Sequence, residues 1–151
     1  MAFSSTAKRA AVVAASTLAL ALGMTGTSHA LARDGVDPNA SGCSSDAFTA
    51  RQAHILDRDG RTYIGVVELR YSPSCRTTWV RVQGDQPYLH GKVQRTQDYA
   101  QQECGSVDYS ASLGQYYCFS PMLNDAGYTS YAFGYEVRNG VVSNEAITTI
   151  Y

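Results

Sequence analysis

The chain has 151 residues, 44% of them hydrophobic and 17% charged, with 13 acidic against 12 basic side chains. That balance lacks the basic excess of a nucleic-acid binder. Four cysteines and eleven tyrosines are the compositional features that need explaining.

Residues 1–32 read as an export signal. Lys8 and Arg9 form a basic n-region, Ala10 to Met24 an apolar h-region, and Ser28-His29-Ala30 and Ala30-Leu31-Ala32 are A-x-A-like cleavage sites. The h-region is too short for a permanent membrane helix, and no second apolar run of spanning length follows. Cys43 lies too far downstream to carry a lipid at the cut. Cleavage after Ala30 or Ala32 leaves about 120 residues, the size of one domain, which buries roughly two-thirds of its unfolded surface. Lys8 and Arg9 leave with the signal, so ten basic residues face 13 acidic ones, a net charge of about −3. The predicted organisation is a signal over 1–32, a polar extended leader over 33–45 and one β domain over 46–151. The predicted location is extracellular.

The leader is rich in Gly, Asp, Asn, Ser and Pro, as extended or looped segments are. Phe48 to Leu56 and Thr62 to Tyr71 then flank Arg58-Asp59-Gly60-Arg61, and Asp-Gly suits a type I′ hairpin turn. With Asp57 opposite Thr62, the register sets Ile55 against Ile64, Ala53 against Val66 and Arg51 against Glu68. The other face pairs Leu56 with Tyr63, Ala50 with Leu69 and Phe48 with Tyr71. Arg76 to Gln83, centred on Trp79, is a third strand, and Tyr88 to Thr96 a weaker fourth. Asp98 to Leu113 is polar, with one helical turn conceivable over Ala100 to Gly105. Gln115 to Ser120 is a strand stopped by Pro121, and Asn124 to Gly127 a loop. Tyr128 to Val137 and Val141 to Tyr151 form a second hairpin around Asn139-Gly140. Its register pairs Val137 with Val142, Phe133 with Ala146, Tyr131 with Thr148 and Thr129 with Ile150, and this face is expected to be buried. Six to seven short, mostly antiparallel strands predict an all-β fold, a small disulfide-stabilised barrel or sandwich.

Four cysteines permit three pairings. The first hairpin brings Cys43 and Cys75 together at its open end. Cys104 and Cys118 then close a polar excursion of about fifteen residues, a bond worth on the order of 3 kcal/mol by loop-closure entropy. A four-cysteine zinc site would need C-x-x-C spacing, which is absent from the sequence. No metal or cofactor is expected.

Glu68, Arg70, His54 and His90 are the one set resembling a catalytic kit. A glutamate base, arginine clamps and a histidine acid on a sheet are what a small secreted ribonuclease uses, with Glu68, Arg70 and His90 in those roles. The plainer expectation pairs Glu68 with Arg51 and leaves His90 on a solvated edge. The sequence lacks the G-x-S-x-G elbow of a serine hydrolase. Asp57-x-Asp59-Gly60 resembles the start of a calcium loop without its later carboxylates, and reads as a hairpin turn. Tyrosine offers rigid area with a polar tip, as binding surfaces use. Tyr116, Tyr117, Tyr128 and Tyr131 are the binding candidates.

Gly42-Cys43, Thr62 to Trp79 and Ser120 to Gly127 carry a resemblance. Val67-Glu68-Leu69-Arg70-Tyr71-Ser72-Pro73-Ser74-Cys75-Arg76-Thr77-Thr78-Trp79-Val80-Arg81-Val82 resembles the VELRYSPxCxTxWxRV core of a family of small secreted actinobacterial domains of unknown function. The resemblance implies an extracytoplasmic β domain with Cys43 bonded to Cys75. In that family the domain also looks like an add-on to membrane-anchored regulators, which suits a binding module. It supplies no catalytic residues, and Cys104 and Cys118 depart from its shorter pattern. The expected function is therefore a secreted, non-enzymatic binding or adaptor module whose partner is another secreted or envelope protein. Neither nucleic acid nor membrane insertion is expected, and the leader Arg33 to Ser41 is a segment able to lie along the partner. The ribonuclease-like hydrolase is the alternative.

Overall fold

The computed structural model describes residues 32–142 and 145–151, so the export signal lies outside the described residues but for Ala32. Among those residues a 3-10 turn, Cys43–Asp46, precedes eleven strands. They are β1 (Phe48–Leu56), β2 (Tyr63–Ser72), β3 (Thr77–Gly84), β4 (Leu89–Arg95), β5 (Gln101–Glu103), β6 (Asp108–Ser110), β7 (Gln115–Phe119), β8 (Leu123–Asn124), β9 (Ser130–Arg138), β10 (Val141–Val142) and β11 (Ala146–Ile147). One antiparallel sheet runs β1-β2-β3-β7-β6, with β8 also on β3; the other runs β10-β9-β4-β5, with β11 also on β9. The shared core joins Ile55, Val67, Leu69, Val80 and Val82 of the first sheet to Leu89, Val93 and Ala132 of the second. The all-β, disulfide-stabilised expectation is met as two packed sheets. There are more strands than six or seven because β5, β6, β8, β10 and β11 are fragments of two or three residues.

The first hairpin keeps the expected register at its ends, Phe48 opposite Tyr71 and Leu56 opposite Tyr63, and slips by one residue between them. Arg51 faces Leu69, Gln52 faces Glu68, Ala53 faces Val67 and Ile55 faces Gly65. Two bulges cause this, one at Ala50 and a compensating one at Ile64. Parity explains the second: Ile64 and Val67 are three residues apart, so an unbroken strand would aim them at opposite faces. Both belong to the buried core, and the bulge lets both turn inward. The turn is not type I′, because Asp59 does not share the positive φ of Gly60 (67°). Gly60 N–H instead bonds the Asp57 carbonyl, and the Asp59 carboxylate accepts N–H bonds from Arg61 and Thr62. The calcium-loop look-alike is thus a carboxylate-capped turn.

The closing hairpin has Asn139 and Gly140 both at positive φ, the I′ form, and Val142 opposite Val137 as expected. By β11 the register has shifted, with Ala146 opposite Gly134 and Ile147 opposite Phe133. Its buried face is also the other one: Ser130, Ala132, Gly134 and Glu136 point inward. The sheets approach too closely there for large side chains. A Cβ on Gly134 would lie 2.5 Å from Val67 Cβ. Tyr131, Tyr135 and Val137 are accordingly half-buried on the outer side, and Phe133 lies under the Lys92 ammonium. Glu136, fully buried, pairs with Arg138.

The expected fourth strand over Tyr88 to Thr96 is present as β4, bonded on one side to β9 and on the other to β5. Ala100 to Gly105 contains extended β5, and the supposed loop after Leu123 begins as β8. The leader is held against its own domain. Gly35 N–H bonds the Met122 carbonyl, Met122 N–H bonds the Val36 carbonyl, and the Asp37 carboxylate turns the chain by accepting from Asn39 and Ala40.

Both expected disulfides are present, Cys43–Cys75 and Cys104–Cys118. The second spans the sheets: Cys104 N–H bonds Gly91 on β4, while Gly105 N–H bonds Phe119 on β7. A second anchor is Arg95, 1% exposed, whose guanidinium donates to both carboxylate oxygens of Asp34, both of Asp98, and the Asn124 carbonyl.

Asp125, 9% exposed, accepts from the Ser130 hydroxyl, which in turn accepts from Thr78. Burial raises its carboxyl to about 6, against the pull of that hydroxyl and of the Arg95 and Arg76 charges. A raised carboxyl binds its proton more tightly folded than unfolded. Its contribution to stability is therefore full below about pH 4 and is lost as pH rises through about 6. Asp125→Asn should stabilise the protein by about 1–3 kcal/mol at pH 7 and by almost nothing at pH 4. Urea denaturation at the two pH values measures this, and an equal effect at both would contradict it.

Candidate functional site

On β2, Val67 and Leu69 enter the core, which turns Glu68 and Arg70 to the outer face of the first sheet. Val80 and Val82 likewise turn Trp79, Arg81 and Gln83 outward on β3, and buried Cys118 turns Tyr117 and Phe119 outward on β7. Register then aligns these in cross-strand rows: Arg70 beside Trp79, Glu68 beside Arg81 beside Phe119, and Gln83 beside Tyr117. The leader supplies one wall through Pro38, Asn39 and Ser44, and Leu113 before β7 supplies another. The result is a cleft of about 250 Å³ floored by aromatic rings and two guanidinium groups.

Trp79, 4% exposed, lies in a small secondary core with Cys43 and Met122, flanked by Ala47, Cys75 and Phe119. It is buried because the leader and the Cys43–Cys75 bond cover an outer sheet face. Arg70 is fixed from β1 and the segment before it, donating to the Thr49 hydroxyl (2.6 Å) and the Ala47 carbonyl (2.9 Å). Glu68 accepts from Arg81 Nε, from Gln83 (3.0 Å) and from Thr49 (2.9 Å). Burial works to raise the Glu68 carboxyl, but the Arg81 hydrogen bond and charge, with Thr49 and Arg70, hold it below its ordinary range. Arg70 is pushed down by its own burial and by the nearby Arg81 charge, with Glu68 offsetting only part. Two guanidinium groups share one carboxylate.

The catalytic kit is not assembled. Glu68 pairs with Arg81, not Arg51, which stacks on Tyr151. His90 lies on β4 between core-facing Leu89 and Gly91, so it points to the outer face of the second sheet, stacked on Tyr135. It is half-buried on an interior strand, not on a solvated edge. Sheets pack about 10 Å apart, and Glu68 and His90 extend away from each other on opposite outer faces. An acid and a base serving one substrate must both reach it within hydrogen-bond distance. His54 is exposed on β1 against Tyr63.

The four tyrosine candidates are half-buried and do not share a surface. Tyr117 lines the cleft. Tyr116 faces Tyr109 on edge strand β6, Tyr128 packs on the Arg95 guanidinium, and Tyr131 packs on Phe133 on the outer face of the second sheet. Sequence reasoning did not single out Arg81, Gln83, Phe119 or Leu113 as site residues. A signal was present: between Trp79 and Gln83 large polar or aromatic residues alternate with valines, the pattern of a strand with a second occupied face.

No solved structure matches the chain at a significant level. The chain is 32% identical over 111 residues to a Bacillus subtilis (strain 168) protein named "Uncharacterized protein YjfA", covering 68% of this chain and 70% of that protein. A protein family described as "Protein of unknown function (DUF2690)" matches residues 31–133. That span holds both disulfides, the Asp34–Arg95 anchor and every side chain lining the cleft, and by this match the chain belongs to that family.

Proposed function

We propose that this chain is a secreted, non-enzymatic binding module that works through protein–protein contacts, as an adaptor in an extracellular complex or at the cell envelope. The observation that carries the reading is the aromatic and arginine cleft on the outer face of β2, β3 and β7. Tyr and Arg in a concave, partly desolvated setting, here Tyr117, Arg70 and Arg81, are among the side chains that dominate protein–protein binding energy. Two disulfides fit an oxidising compartment. Among the described residues no helix is long and apolar enough to cross a membrane. The opposite placement of Glu68 and His90 supplies no support for a ribonuclease.

Leu113→Glu tests the reading. Leu113 is 55% exposed, so the change charges the cleft wall without emptying a core. The tagged wild type, recovered from spent medium, should retain a co-purifying protein that Leu113→Glu loses and that Tyr99→Ser, a 72% exposed control, keeps. The purified protein should not cleave single-stranded RNA. Cleavage that disappears in both Glu68→Gln and His90→Gln would instead establish the hydrolase, with a loss of about a hundredfold or more for each.

A further inference from the structure

We propose that the cleft takes a carboxylate-bearing segment of a partner protein, one acidic side chain flanked by an aromatic or aliphatic residue. The inference rests on the binding-module reading and names the chemistry its partner must present. Charge gives the first argument. The floor carries Arg70 and Arg81 against Glu68, leaving one positive charge uncompensated on a mature chain whose net charge is about −3. One carboxylate completes that balance. A polyanion brings many charges to a surface that repels all but the first.

Hydrogen bonding gives the second argument. Arg81 engages Glu68 through Nε, and its two Nη groups, each with two N–H donors, belong to a side chain that is 34% exposed and lines the cleft. Arg70 spends one donor of each Nη on Thr49 and Ala47, which fixes its orientation. A planar carboxylate is the natural mate for such an oriented fork. Size and lining give the third. Typical small-ligand pockets span about 300–1,000 Å³, and a cleft of about 250 Å³ holds a few side chains of a short segment. Phe119, Leu113 and the Tyr117 ring provide the apolar contact beside the charge, above buried Trp79.

Trp79 is the single tryptophan of the chain and lines the cleft, so its emission reports occupancy. The probe is a displayed library of random decapeptides, selected on the secreted protein. Enriched sequences should share an Asp or Glu beside Leu, Phe, Tyr or Trp, and synthetic copies should shift Trp79 emission. Replacing that acid by its amide should weaken binding about tenfold or more, the scale of a lost charge-assisted bond. Leu113→Glu should weaken the acidic peptide and Leu113→Lys should tighten it, both more strongly at low salt. Peptides without an acid, amide copies that bind equally, or equal weakening by both Leu113 variants would overturn the carboxylate assignment while leaving the binding module standing. No selected peptide, with a uridine decanucleotide binding and quenching Trp79, would overturn both.

Discussion

Trp79→Ala is expected to remove about 3–5 kcal/mol from the folding free energy, the cost of truncating a large buried aromatic. The expectation has an unusual basis, because Trp79 points to an outer sheet face and away from the main core. Its 4% exposure depends on Cys43, Met122 and the folded leader lying over it. A domain of this size has a total stability of about 5–15 kcal/mol, so the variant should lose a large share of it. Urea denaturation followed by circular dichroism measures the loss. A cost under about 1 kcal/mol, within the surface-substitution range, would mean that the leader does not cover Trp79.

Arg95→Met should cost a similar amount, about 3–5 kcal/mol, by leaving a buried carboxylate without its partner. The Asp34 side chain is 8% exposed, and its oxygens take two bonds from the guanidinium. The Asn124 N–H also bonds Asp34 Oδ1 at 2.6 Å, so the loss should spread to β8. Adding Asp34→Asn to Arg95→Met should restore part of the stability, a coupling that a double-mutant cycle reads directly. Hydrogen exchange should show the amides of residues 35–42 losing protection first. Unchanged protection there would separate the leader from this anchor. The Arg95 hydrogen bond holds Asp98 below the ordinary carboxylate range, against its slight burial. That part of the cluster is therefore present at neutral pH and fades only as pH falls below about 4.

What sequence reading captured was local. Each hairpin has a turn near its expected place, and the ends of the first register follow from Asp57 facing Thr62. The Cys43–Cys75 pairing follows from that hairpin, and Cys104–Cys118 from a short loop. What it missed depended on parity or distance. The bulges at Ala50 and Ile64 leave the strand ends in place and move only the middle, so nothing at either end of the hairpin signals that Arg51 faces Leu69 and not Glu68. In β9 the tyrosines and Phe133 suggested the buried face, while the small residues Ser130, Ala132 and Gly134 marked where the sheets touch. The cleft needs β3 beside β7, a pairing of segments more than 30 residues apart with no turn between them to announce it. Nothing local revealed that His90 and Glu68 belong to different sheets.

The pattern of the two disulfides would also set an order of oxidation in a chain exported N-terminus first. Cys43 and Cys75 both precede Cys104 and Cys118, so the bonds neither interleave nor nest. A chain emerging N-terminus first into an oxidising compartment offers its first two thiols to each other before the third appears. Sequential oxidation then yields the native pairs without a reshuffling step. Refolding the full-length reduced chain presents all four thiols at once and opens all three pairings. If it is exported in that order, the same sequence should therefore form its bonds quickly on export and slowly from denaturant.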